Sequence, residues 1–284
     1  MRLSCLIICC LLSVSAVAEQ YQSFSSAGFN RSLSDQLIHG WSRDLERYEP
    51  QRLRSNTDFY SIGSTYFFSD KSALGPLKEF DYINSISNIH AGYIRAEGEF
   101  SDSNYGNIGG EYFANSFLIG GSIGEFNGQQ LYTATAGYFF TPNFMAKVSG
   151  QSLDGDTRTV LTGKYRHPFN ETDYIGFTFE ALGIDTESVF STKYFKDLGD
   201  ETYFTLNGSL FSNSGLWNLG GEYYFSRFTS IGLSASENNR YGISFSHFFT
   251  PNILAEVGYQ HGIQQLNQYD IESNQYTVDL SLQF

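Results

Sequence analysis

Apolar and polar residues alternate in short segments along nearly the whole chain. The last segment shows this most clearly, because Tyr276, Val278, Leu280, Leu282 and Phe284 alternate with polar residues. A period of two is that of a β-strand with one apolar and one polar face. Segments of about ten residues with this pattern are typical of barrel strands with lipid outside and water inside. We therefore predict an all-β fold, a transmembrane antiparallel β-barrel.

The polar breaks between these segments set the strand count. All five prolines fall in the breaks, as expected for a residue that cannot donate to a strand ladder. We predict sixteen strands, with fourteen as the alternative because residues 20–56 are the least regular. The predicted strands are 20–31, 56–68, 80–100, 105–114, 116–126, 130–140, 143–153, 157–167, 173–183, 187–197, 201–211, 216–226, 228–237, 240–249, 252–262 and 273–284.

Composition excludes several other classes of protein. The chain has 284 residues, and 17% of them are aromatic, which is too many for a disordered protein. A formal net charge of −13 argues against nucleic acid as a partner. Beyond the first residues no run of about 20 apolar residues occurs, so a helical membrane protein is excluded.

The first 18 residues have the features of a cleavable export signal. Arg2 precedes an apolar run at 6–12, and Ala16 and Ala18 supply small residues at a cleavage site. The predicted domains are a signal peptide at 1–18 and a barrel at 19–284. All three cysteines lie in the signal, so the mature chain cannot form disulfides, thiolate metal sites or a cysteine nucleophile. We predict no cofactor and no metal site.

Three motifs resemble the "putative general bacterial porin" family of Gram-negative outer membranes. They are the terminal strand ending in Phe284, the strand end 66–68 followed by the Gly-Pro-Leu-Lys-Glu-Phe turn at 75–80, and the Phe-Phe-Thr-Pro-Asn turns at 139–143 and 248–252. The resemblance covers 56–284. It implies an outer-membrane location, contact with lipid, recognition of the last strand by the barrel-assembly machinery, and association as a homotrimer.

Strand parity predicts which charged residues face the lumen of the barrel. The basic set and the acidic set would lie on separate strands and set a transverse field across the pore. The alternative is that these charges only hydrate and cross-link the wall. The predicted pore-lining residues are Lys147, Lys164, Arg166 and Lys193, with Glu111, Glu180, Glu222, Glu256 and Asp279.

Residues 32–55 depart from the strand pattern. Leu33, Leu37 and Trp41 begin a series spaced by three or four residues, which predicts an amphipathic helix. We predict a helical extracellular insertion near 32–55 that folds into the lumen, with Trp41, Arg43 and Arg47 at the constriction. The alternative is a lid outside the lumen, or a helix packed on the barrel, with no gating role. No other break is long enough to constrict the pore, apart from 262–272.

The sequence thus predicts a passive porin for small hydrophilic solutes and ions, with a mild cation preference. One alternative is a substrate-specific channel, for example for oligosaccharides, in which Tyr203, Phe211 and Tyr224 would stack against sugars. A closed structural or adhesive barrel is the other. We do not expect an enzyme, because the histidines show no spacing typical of a catalytic triad.

Overall fold

The protein is a closed barrel of sixteen antiparallel strands in a computed structural model, which describes residues 20–42, 47–99, 102–183, 187–237, 239–266 and 269–284. The predicted count of sixteen is confirmed. The strands are β1 Gln20–Ser42, β2 Arg47–Ser72, β3 Asn88–Gly98, β4 Asp102–Ala114, β5 Phe117–Phe126, β6 Gln129–Thr141, β7 Phe144–Leu153, β8 Asp156–Pro168, β9 Tyr174–Ala181, β10 Ser188–Gly199, β11 Thr202–Phe211, β12 Trp217–Ser226, β13 Thr229–Ser236, β14 Arg240–Thr250, β15 Ile253–Leu266 and β16 Tyr269–Gln283.

The first and last strands close the barrel. β1 pairs with β16 from Phe24 opposite Gln283 to Gln36 opposite Ile271. The last residue continues this ladder, since the Phe284 N–H donates to the Ser23 carbonyl at 2.8 Å. Closure removes the free edges that the first and last strands of an open sheet would have. Both termini of the barrel lie at one end, which we call the terminal end, and the opposite end is the far end.

Alternation along each strand separates an outer apolar surface from the barrel interior. Ile62, Phe117 and Leu233 are each more than 60% exposed on the outside. Their strand neighbours point inward, where most side chains are polar or small. This is the distribution expected for a barrel whose outer surface contacts lipid. None of the described residues form a helix long and apolar enough to cross a membrane.

The repeated Phe-Phe-Thr-Pro-Asn motif forms the same tight turn twice. In the β6–β7 turn the Asn143 N–H donates to Thr141 Oγ1 at 3.2 Å, and in the β14–β15 turn the Asn252 N–H donates to Thr250 Oγ1 at 3.3 Å. A threonine hydroxyl that accepts from the backbone two residues on stabilises such turns. Both turns lie at the terminal end.

The predicted helix over 32–55 is wrong. Residues 32–36 of β1 pair with β16 on one side and β2 on the other, and the β1–β2 ladder continues to Ser42 opposite Arg47. The ladder gives these residues backbone partners, whereas a short helix has little stability of its own. Trp41 lies in β1 opposite Tyr48, and Arg43 lies outside the described residues. A constriction by Trp41, Arg43 and Arg47 stays a prediction.

Two other predicted boundaries are also wrong. The break at 262–272 is mostly strand, because β15 runs to Leu266 and β16 begins at Tyr269. The predicted strand 80–100 begins only at Asn88. Residues 73–87 leave the wall of the barrel instead, and we call them the inner segment.

Candidate lumen site

The inner segment begins with a sharp turn at the terminal end. Gly75 has a φ of 146°, and a Cβ there would lie 2.5 Å from the ring of Tyr203, so a side chain would be both strained and blocked. After this turn the Leu74 N–H donates to the Glu79 carbonyl at 2.8 Å, and the Glu79 N–H donates to the Pro76 carbonyl at 3.0 Å. These bonds fold 74–79 into a compact loop.

The backbone of this loop is bonded to the β12–β13 turn, across the barrel, and to β16, which lies beside β1. The Leu77 N–H donates to the Arg227 carbonyl at 3.0 Å, and Arg227 Nε donates to the Gly75 carbonyl at 2.9 Å. Gln283 Nε2 donates to the Leu77 carbonyl at 3.2 Å. Because Arg227 follows β12 and Gln283 ends β16, the loop extends from the β2–β3 wall across the interior.

Apolar side chains of the inner segment pack against inward-facing residues of the wall. Leu74 and Tyr82 contact one cluster, which consists of the buried residues Tyr174, Phe195, Tyr203 and Tyr224. Ile83 forms a second cluster with Leu118 of β5 and Met145 of β7, and is 7% exposed. Tyr82 Oη also shares a 2.6 Å hydrogen bond with Thr178 Oγ1 of β9. The segment therefore contacts the wall from β5 to β16 and narrows the lumen at the terminal end.

Lys78 anchors the segment to an acidic part of the wall. Its Nζ lies 2.6 Å from Glu222 Oε1 of β12 and 3.0 Å from Glu256 Oε2 of β15. Desolvation lowers the pKa of the Lys78 ammonium, but the attraction of Glu222 and Glu256 outweighs it, so the pKa lies above its ordinary value. Lys78 is therefore a cation that neutralises part of the wall.

Glu79 is an anion of the inner segment that pairs with a basic residue of the wall on β10 and with Tyr224 of β12. Its Oε2 lies 2.5 Å from Lys193 Nζ of β10, and its Oε1 accepts a 2.7 Å hydrogen bond from Tyr224 Oη. Tyr224 Oη lies 3.0 Å from Glu222 Oε2 as well. The Glu79 side chain is 6% exposed, so this carboxylate depends on its partners for stabilisation. The two anchors form one network through Tyr224 and Glu222.

The other predicted basic residues lie on β7 and β8. Lys147 Nζ is 3.5 Å from Glu111 Oε1 of β4. The charge of Lys164 interacts with the charges of Lys147, Glu111 and Glu180. The structure thus brings these two lysines together on one side of the interior, with Glu111 and Glu180 beside them.

Arg166 and Asp279 lie apart from this group. The Arg166 guanidinium lies 5.0 Å from the centre of the Tyr174 ring, at the edge of the apolar cluster. Asp279 of β16 lies opposite Glu256 in the β15–β16 ladder. Gly28 beside it has no side chain, and a Cβ there would lie 2.2 Å from Asp279 Oδ1.

Parity alone did not identify Lys78, Glu79 and Tyr82, because the inner segment is not a strand. Two signals could have found them. The segment is rich in apolar residues, such as Leu77, Phe80 and Ile83, although a short exposed turn needs none. In addition, large apolar residues on inward-facing positions near strand ends, such as Phe195, require something inside the barrel to cover them.

The aromatic residues considered for sugar stacking are differently placed. Tyr203 and Tyr224 are 7% and 1% exposed, because the inner segment covers them. Phe211 ends β11 at the far end.

The described residues include no group of acidic, histidine or cysteine side chains placed to hold a metal ion.

The chain is similar to known proteins both in sequence family and in fold. Residues 48–284 match the model of the family described as "Putative general bacterial porin". The fold is similar to that of the outer membrane protein Omp33 of Acinetobacter baumannii, with a TM-score of 0.54, 16% identity, and coverage of 94% of this chain and 100% of that chain. This identity supports the fold alone.

More distant structures are also similar to the chain. OpdQ of Pseudomonas aeruginosa has a TM-score of 0.48 and 8% identity, over 92% of this chain and 98% of that chain. OprB of Pseudomonas putida has a TM-score of 0.47 and 8% identity, over 93% and 94%. The chain matches no curated protein sequence.

Proposed function

The chain belongs to the family described as "Putative general bacterial porin", and on that basis we propose a specific route for solutes through its barrel. The protein is an outer-membrane porin of Gram-negative type, a channel for passive diffusion rather than an enzyme. Its terminal end is then periplasmic and its far end extracellular. Small hydrophilic solutes and ions enter at the extracellular end and pass the inner segment, which is the narrowest part of the route.

The observation that carries this proposal is the double anchoring of the inner segment inside the lumen. Lys78 bridges Glu222 and Glu256, and Glu79 binds Lys193. Because these contacts reach β10, β12 and β15, the segment divides the periplasmic end of the lumen. A constriction made by charged groups of both signs filters solutes by size and charge.

The charged residues at and around the constriction form the rest of the proposed route. We assign a basic side to Lys147, Lys164, Arg166 and Lys193, and an acidic side to Glu222, Glu256 and Asp279. Glu111 and Glu180 interrupt the basic side, where Glu111 pairs with Lys147 and Glu180 lies near enough to Lys164 to attract it. Water-filled barrels of this strand number hold an aqueous channel, so these side chains remain hydrated where no partner covers them.

Three kinds of partner are part of the proposal. The last strand ends in Phe284, whose backbone completes the β1–β16 ladder, and we propose that the barrel-assembly machinery reads this strand. Lipid would contact the outer apolar surface, and a homotrimer would cover part of it. Crosslinking of the protein in native membranes would test the trimer.

Single-channel conductance in a planar bilayer tests the proposed route. Folded wild-type protein should give stable steps, and the double variant Lys78→Gln/Glu79→Gln should give larger or noisier steps because the segment loses both anchors. The double variant Arg95→Gln/Glu97→Gln is a matched control, since it removes an ion pair on the outside of β3. Absence of steps from folded, inserted wild-type and Lys78/Glu79 variant protein would reject the porin route and favour a closed barrel.

A further inference from the structure

The extracellular end of the lumen carries an unusual apolar patch. Tyr105, Phe126, Leu131 and Leu153 belong to β4, β5, β6 and β7 and have the inward parity, because Ile108, Ile123 and Tyr132 of the same strands are exposed on the outside. The inner face of a porin barrel is normally polar. Four neighbouring apolar residues there require a reason.

The patch is one wall of a cavity at the mouth of the barrel. The cavity has a volume of about 360 Å³ and is also lined by Gln151 and Arg158. This volume lies within the range of small-molecule sites, which are mostly apolar with a few polar groups that fix orientation. Tyr105 lies opposite Phe126, and Leu131 lies opposite Leu153, so the apolar groups form two adjacent pairs.

Arg158 lies beside this patch and makes one side-chain hydrogen bond. Its Nε donates a 2.7 Å hydrogen bond to Gln151 Oε1, its cross-strand neighbour. Among the described residues no carboxylate lies within 4.0 Å of the Arg158 guanidinium, so the two terminal NH₂ groups keep their donors. A guanidinium with two parallel donors matches a carboxylate.

We propose that this cavity is a binding site for small carboxylates with an apolar body. The carboxylate accepts from the two terminal NH₂ groups of Arg158, and the apolar body lies against Phe126 and Leu131. The site concentrates such solutes at the entrance, from which the next cations inward are Lys147 and Lys164. As an entrance to the diffusion path, the site rests on the proposed function.

Asp156 also lines the cavity and acts against an anion. It belongs to the same strand as Arg158, two residues away, and therefore has the same parity. Its charge weakens the attraction of the mouth for a carboxylate without blocking the apolar wall. The proposal therefore predicts opposite effects for neutralising these two residues.

Binding can be measured without any current. We would titrate folded full-length protein in detergent against 4-fluorobenzoate and follow the ¹⁹F linewidth. Arg158→Gln should weaken binding at least tenfold, and Arg158→Lys should weaken it less, because the charge remains. Phe126→Ser should also weaken it, whereas Asp156→Asn should strengthen it a few-fold. Arg95→Gln, which changes an arginine on the outside of β3, should have no effect.

The two halves of the ligand are tested separately. Fluoroacetate has the carboxylate without the ring, and 4-fluorobenzyl alcohol has the ring without the carboxylate. Both should bind at least tenfold more weakly than 4-fluorobenzoate. Partition of each probe into empty micelles is measured and subtracted. Equal effects of Arg158→Gln and Arg95→Gln, or equal binding of the three probes, would overturn the proposal. Binding without conductance would leave this site standing and reject the porin route, and conductance without binding would do the reverse.

Discussion

Lys193→Met removes the wall cation that neutralises Glu79 and leaves the inner segment itself unchanged. The Lys193 Nζ to Glu79 Oε2 distance is 2.5 Å, and Tyr224 Oη is the other partner of this carboxylate. Methionine has a similar length and no charge. The substitution therefore leaves Glu79 with one neutral donor in a site where its side chain is 6% exposed.

The expected cost follows from the burial of the two partners. Breaking a fully buried ion pair costs about 3–5 kcal/mol. The Lys193 side chain is 29% exposed and the Tyr224 hydrogen bond remains, so we reduce this to about 2 kcal/mol of docking free energy for the segment. Since about 1.4 kcal/mol corresponds to a factor of ten, the undocked population should rise about 30-fold.

Hydrogen exchange reports this population directly. The amides of Leu74, Leu77 and Glu79 all donate within or from the inner segment, and their exchange requires the segment to open. In Lys193→Met they should exchange about 30-fold faster, while amides of the β5–β6 ladder keep their rates. Lys164→Met is the matched control, because it removes an inward lysine that has no ion pair to the described part of the segment. Unchanged exchange at 74–79 in Lys193→Met would refute the anchoring argument.

Three further predictions concern the same region. Gly176→Ala should displace Tyr82, because a Cβ at this position would lie 2.6 Å from the Tyr82 ring, and the conductance noise should increase. Gly163→Ala is the control and should match wild type, because a Cβ there would have nothing within 4 Å. Lys78→Gln should shift the reversal potential in a salt gradient toward cation selectivity, because Glu222 and Glu256 lose their cation; an unchanged potential would place these groups outside the ion path. In the β8–β9 turn, desolvation raises the pKa of Asp173, but hydrogen bonds from the Asp197 N–H and Asn170 outweigh this effect, so the pKa lies below its ordinary value. As the pH falls through that lowered pKa the turn should loosen, and the Asp197 amide should exchange faster. Asp173→Asn should remove this pH dependence.

Strand parity predicted most of the wall because the two faces of each strand contact different solvents. Lys147, Glu111 and Glu222 follow from their apolar neighbours alone, and the structure gives them contacts inside the barrel. The prolines marked turns correctly at Pro142 and Pro251, where no ladder N–H is needed. They did not mark breaks at Pro50, which lies within β2 opposite His39, or at Pro168, which ends β8 opposite Tyr174. These features depend on local sequence, so they could be predicted without knowledge of any long-range contact.

The inner segment and the β1–β2 hairpin could not be predicted in the same way. Lys78 reaches Glu222 and Glu256 over more than 140 residues of sequence, and nothing local specifies that contact. Over 32–42 the spacing of Leu33, Leu37 and Trp41 matched a helix, yet pairing with β16 and β2 supplied two ladders at 32–36, and pairing with β2 continued to Ser42. Where two strands are available as partners, pairing overrides a weak helical period.

The distribution of charge inside the barrel explains why the acidic total is a weak guide to selectivity. Lys193 pairs with Glu79, Lys147 with Glu111, and Lys78 lies between Glu222 and Glu256, so most of the named lumen charges are neutralised locally. The groups beyond these pairs are of both signs, with Lys164, Arg166 and Glu180 on one side and Asp279 on the other. We therefore expect a solute that passes the inner segment to meet the field of these nearby groups rather than the net charge of the chain. The inner segment supplies part of this arrangement, because Lys78 and Glu79 each bring to the wall the charge opposite to the one they meet.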